Sequence, residues 1–114
     1  MMDTYTRLTY NKIMKAARKF LEAQEYEIHK IVELDDDTFI IARNKDAIEI
    51  LKVVFSKDAF SPNEYFDKDT FEVLLDDCID ILGKYEGIEI APAILNFKIV
   101  RPERAIIRFT HFKF

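Results

Sequence analysis

The residue types best suited to chemistry gather between positions 36 and 54. The stretch reads Asp36-Asp37-Thr38-Phe39-Ile40-Ile41-Ala42-Arg43-Asn44-Lys45-Asp46-Ala47-Ile48-Glu49-Ile50-Leu51-Lys52-Val53-Val54. Asp36 and Glu49 stand thirteen residues apart, with Lys52 close behind. Two carboxylates can hold a hard divalent cation, and the cation activates water and neutralises a phosphate. A lysine alongside stabilises the charge that develops in the transition state. The chemistry in prospect is metal-assisted hydrolysis. The same carboxylates also read plainly as solvated groups at strand ends.

Such residues work only if the backbone holds them. Residues 38–42 and 47–55 are rich in Ile, Val and Phe and read as two strands, joined by a polar turn at Arg43 to Asp46. Tyr26, Ile28, Val32 and Leu34 fall at even positions and predict a half-buried strand before them. Ile13, Ala16, Ala17, Phe20 and Leu21 form one helical stripe over 12–25, with Asn11 or an earlier Thr as cap. Phe71, Leu74, Leu75, Cys78, Ile79 and Leu82 form another over 70–82, with Asp69 and Glu72 as a capping pair. Strands at 95–100 and 105–112 close the chain around Arg101-Pro102-Glu103. The order α-β-β-β-α-β-β predicts an α/β domain whose mixed central sheet is flanked by helices.

Three blocks carry a family resemblance. The first is Ala16-Ala17-Arg18-Lys19-Phe20-Leu21-Glu22 with Tyr26. The second is Phe39-Ile40-Ile41-Ala42-Arg43 with Asp46 and the apolar strand to Val54. The third is Asn96-Phe97-Lys98-Ile99-Val100 with Ile106 to Phe112. In order and spacing the chain resembles the YraN-like predicted nucleases of restriction-endonuclease-like, PD-(D/E)xK, fold. The resemblance implies one restriction-endonuclease-like domain over 1–114. It also implies a site of helix glutamate, strand aspartate, and a glutamate and lysine two residues apart. Those positions fall at Met14, Phe39, Lys52 and Val54. Phe and Val ligate nothing, and Lys52 repels a cation, so the implied site is degenerate. The fallback is a displaced site of Asp36, Glu49 and Lys52, served by Mg²⁺ or Mn²⁺. A shift of three residues is odd and turns the pair to the other sheet face; Glu49 and Lys52 also point to opposite faces of one strand.

Composition narrows the setting. The 114 residues are 49% apolar with 2 Gly and 3 Pro, which suits one well-ordered core and excludes a disordered chain. One cysteine precludes an internal disulfide. No apolar run approaches the roughly 18 residues that span a bilayer, and no signal segment opens the chain. The expectation is a cytoplasmic protein with no membrane partner.

The net charge of −4 is unevenly spread. Lys15, Arg18 and Lys19 lie on the polar side of the first helix, and Arg101, Arg104 and Arg108 near the last turn. Clustered cations, not the total, give phosphate affinity; both groups are candidate nucleic-acid contacts, and solvated charge is the plain alternative. Cys78 sits in an apolar stripe and reads as core. His29 and His111 lack the spaced partners of a zinc site. Asp76, Asp77 and Asp80 read as a solvated face. The alternating tail Phe109 to Phe114 could pair with a second copy as an edge strand. The leading expectation is a nuclease-like domain without catalysis or cofactor that binds nucleic acid, weakly, or a protein partner. The alternatives are an active metal-dependent endonuclease using displaced carboxylates, and a structural or oligomeric module.

Overall fold

The computed structural model describes residues 4–35, 37–45, 47–56, 66–82, 88–101 and 104–111. Helix α1 (Thr4–Ala23) leads into three strands, β1 (Glu27–Leu34), β2 (Asp37–Arg43) and β3 (Ala47–Ser56). A helical segment follows, made of α2 (Lys68–Leu75), a 3₁₀ turn (Asp76–Cys78) and α3 (Ile79–Leu82). Strands β4 (Glu89–Arg101) and β5 (Arg104–His111) close the chain. The α/β class and the mixed sheet are as expected. The element order departs from α-β-β-β-α-β-β in the second helical segment, which is three pieces rather than one helix.

The sheet runs β1-β2-β3-β4-β5, with every neighbouring pair antiparallel except β3 and β4. The parallel pair needs a crossover, and α2 and α3 lie in it. One sheet face packs Ile40, Ala42, Leu51, Val53, Ala93, Leu95 and Phe97 against Met14, Ala17 and Leu21 of α1. The other packs Phe39, Ile41, Ile48 and Ile50 against Phe66, Leu74, Cys78 and Ile81. Coverage on both faces explains why β2 and β3 are nearly continuous apolar runs instead of alternating ones.

Local chemistry sets the boundaries. Helix α1 begins at Thr4, well before Asn11, because no Gly or Pro between them breaks the winding. It ends in a Schellman turn: Tyr26 N–H donates to Leu21 O at 2.9 Å, and Glu25 N–H to Glu22 O at 3.0 Å. The left-handed residue there is Glu25 (φ 66°), where glycine is usual. The cap of α2 is Asp67, not Asp69: its carboxylate accepts from Asp69 N–H at 3.0 Å. The 3₁₀ turn rotates the following residues by about 60° relative to an α-helix. That turns Ile79 outward, 60% exposed, and brings Ile81 into the core. Strand β4 starts earlier than its sequence suggests and contains Pro92, which has no N–H to donate. Pro92 pairs with Ile50 of β3, and among the described residues the β4–β5 ladder runs from Ala93. No helix among the described residues is long and apolar enough to cross a membrane.

Candidate functional site

The pleat sorts the candidate residues by face. Phe39 and Lys52 are direct register partners across β2 and β3, and Val54 lies two residues on from Lys52. All three belong to the face covered by α2. Met14 is buried against the opposite face, in the α1 core. Three of the four positions implied by the family resemblance therefore share a face, and the sheet itself separates Met14 from them.

Phe39 is 1% exposed. Its ring lies 5.4 Å from that of Phe66, which lies 6.0 Å from Phe71. Aromatic rings thus fill the space beside position 39. Lys52 Nζ stands 4.0 Å from Asp37 Oδ2. A divalent cation does not fit this set: Phe39 and Val54 offer no oxygen, and the one carboxylate faces an ammonium group. Among the described residues no three His, Cys, Asp or Glu side chains gather as a metal group. Asp36 lies outside the described residues.

Glu49 points to the α1 side, away from Lys52, and is 4% exposed. It is held in a polar knot. Tyr26 Oη donates to Glu49 Oε2 at 2.6 Å, and Asn44 Nδ2 donates to Glu49 Oε1 at 3.4 Å and to Tyr26 Oη at 3.2 Å. Each member is placed by its own local structure. The Schellman turn aims Tyr26 back from the end of α1. Asn44 caps the β2–β3 hairpin, taking Ala47 N–H on Oδ1 at 2.7 Å while its own N–H donates to Ala47 O at 3.0 Å. With Oδ1 engaged, Nδ2 faces Tyr26 and Glu49. Burial, followed by the bond to Glu49, pushes the Tyr26 hydroxyl up to about 12. Glu49 is thereby a satisfied structural carboxylate. Sequence reading took Glu49 as a solvated strand-end carboxylate or, as the fallback, half of a displaced metal pair; its burial overturns the first, and both readings missed Tyr26 and Asn44. The available signal was a Glu set between Ile48 and Ile50 in a buried strand, which needs polar partners.

Other groups fall into place around this. Burial, with Asp77 adding to it, pushes the Cys78 thiol up to about 11, and Sγ lies 3.6 Å from Leu74 O, which fits a core residue. His29 Nε2 lies 3.9 Å from Glu27 Oε2. Asp77 is paired with Lys30. Asn96 in β4 is buried, and its Oδ1 has no hydrogen-bond partner among the described residues.

The cations divide between two elements. Lys12, Lys15, Arg18 and Lys19 are exposed on α1, on the side away from buried Met14, Ala17 and Leu21. Arg101 ends β4, while Arg104 and Arg108 lie in β5, where Arg104 is the register partner of Arg101 and Arg108 that of Asn96. Ile107 of β5 packs against the core beneath α1, so the alternation along the strand assigns Arg104 and Arg108 to the other face of the sheet, and the fold does not join them to the α1 cations. No protein-family model, curated protein or solved structure matches the chain.

Proposed function

We propose that this chain is a restriction-endonuclease-like domain, akin to the YraN-like proteins, that has lost catalysis and holds nucleic acid by its phosphates. The observation that carries the binding is the exposed row Lys12, Lys15, Arg18 and Lys19, rooted by a buried opposite face. The mixed sheet and the helix on each of its faces support the nuclease-like frame. The aromatic filling at Phe39 supports the loss of catalysis.

Metal-dependent cutting is the sharpest test. Pure protein with Mg²⁺ or Mn²⁺ is expected to leave single-stranded, duplex and branched DNA intact. Cleavage that disappears in Glu49→Ala would favour a displaced active site instead.

Binding is expected without any metal and unchanged by chelator. Counterion release makes it salt-sensitive: with three phosphate contacts, a fourfold rise in salt weakens it roughly 20- to 40-fold. Charge reversal at Arg18 and Lys19 flattens that slope by about 1.5 and weakens binding to all sequences alike. Reversal of Lys68, exposed between Asp67 and Asp69, has little effect. Titration of labelled DNA and RNA at low salt decides this, and no binding in the range of about 10⁻⁴ to 10⁻⁶ M would remove the nucleic-acid reading.

A further inference from the structure

The two edges of the sheet are built differently. At β1 the ladder slips between Ile28 and Lys30, and the exposed residues Glu27, Lys30 and Glu33 put charges of both signs along the strand. A bulge and mixed charge are the usual guards of an edge. Strand β5 lacks both. It pairs with β4 without interruption from Ala105 to His111, and its one irregularity is confined to the hairpin end, between Ile99 and Arg101 of β4. Its sequence, Arg104-Ala105-Ile106-Ile107-Arg108-Phe109-Thr110-His111, has strong strand formers, no Gly or Pro and no carboxylate. Among the described residues no strand lies on its far side. Such an edge offers a row of backbone N–H and C=O groups to an added strand.

We infer that β5 is a docking edge for an extended, acidic peptide segment of a protein partner, which joins the sheet as a sixth strand. Backbone hydrogen bonds supply the attachment, and charge selects the occupant. Arg104 and Arg108 are strand residues of β5, and Arg101 is the register partner of Arg104, so the strand carries positive charge in a chain that is acidic overall. A second copy is the poorer occupant. Self-pairing would put together two strands with no carboxylate on either, and the registers that set Arg104 opposite Arg108 are destabilised by like charge. Carboxylates at alternate positions of an acidic strand fall opposite positions 104 and 108 in any even register. This surface is separate from the cationic side of α1.

The test uses the full chain and two labelled nonapeptides of alternating valine and glutamate, or valine and lysine, in fluorescence anisotropy. The glutamate peptide is expected to bind at least about fivefold more tightly, weakening with salt. It should slow amide hydrogen exchange along β5 and leave β1 unchanged. In R104E/R108E the preference reverses. In R104Q/R108Q, a milder change should folding suffer, it falls to about parity. R18E/K19E leaves peptide binding intact while weakening nucleic acid, which separates this inference from the function proposed above. Equal binding of both peptides would overturn selection by charge. Binding of neither, or a concentration-dependent dimer in sedimentation with β5 amides protected in the absence of peptide, would overturn the inference; the dimer would assign the edge to a second copy.

Discussion

Phe39→Asp is expected to unfold the protein, even though aspartate is the residue that the nuclease resemblance places there. Phe39 is 1% exposed and shares its core with Ile41, Ile50, Phe66 and Leu74. Loss of a buried aromatic side chain costs about 3–5 kcal/mol. The new carboxylate adds a few kcal/mol more, because it must be desolvated or stay protonated among rings. A domain of this size is stable by only about 5–15 kcal/mol. Phe39→Leu keeps an apolar group and is expected to cost about 1–2 kcal/mol. Urea unfolding followed by circular dichroism reads both. A Phe39→Asp protein with an unshifted midpoint, or one stabilised by Mg²⁺, would show that the aromatic filling is dispensable and the site recoverable.

Tyr26→Phe is expected to cost about 1.5–3 kcal/mol at neutral pH, the range for a hydrogen bond to a charged group. The variant takes from Glu49 its 2.6 Å bond, shorter than the 3.4 Å bond from the Asn44 amide. The penalty should also depend on pH. Folding raises the Tyr26 hydroxyl from 10 to about 12, so the folded chain holds this proton more tightly than the unfolded one. The resulting stabilisation is complete below pH 10 and is lost as pH rises through about 12. Wild type should therefore lose stability across that window while the phenylalanine variant, lacking the group, loses less, and the gap between them narrows. Urea midpoints taken at several alkaline pH values measure this. A gap that stays constant to pH 12 would mean that neither burial nor Glu49 raises the hydroxyl on folding.

Period and turn chemistry were legible wherever they acted locally. The apolar runs on either side of Asn44 gave the β2–β3 hairpin, and the helical stripe ahead of Cys78 gave α2. Boundaries were less legible because cap-forming residues are common. Asn11 and Asp69 have the right chemistry, yet α1 runs on past one and Asp67 does the capping for the other. Strand β4 spans Glu89–Arg101 where the sequence reading has 95–100, because the ladder with β3 extends the strand past Pro92. The candidate site was the hardest part. A linear spacing locates positions 39, 52 and 54 on one face of two neighbouring strands, but it does not say which side of the sheet α1 covers, and that decides where Met14 lies. The knot of Tyr26, Asn44 and Glu49 joins residues 23 and 18 positions apart, and no local pattern announces it.

The single parallel pairing also governs the order of assembly. Strands β1, β2 and β3 form a meander whose contacts are close in sequence and can form early. Strand β4 meets β3 across about 40 intervening residues, so loop closure makes its arrival slow. Until then α1 lacks Ala93, Leu95 and Phe97 beneath it, and β3 shows a bare apolar margin to its surroundings. On a ribosome, that margin is in the open before the strand that covers it has been synthesised. The interval between the two is when this chain is most exposed to aggregation and to capture by a chaperone.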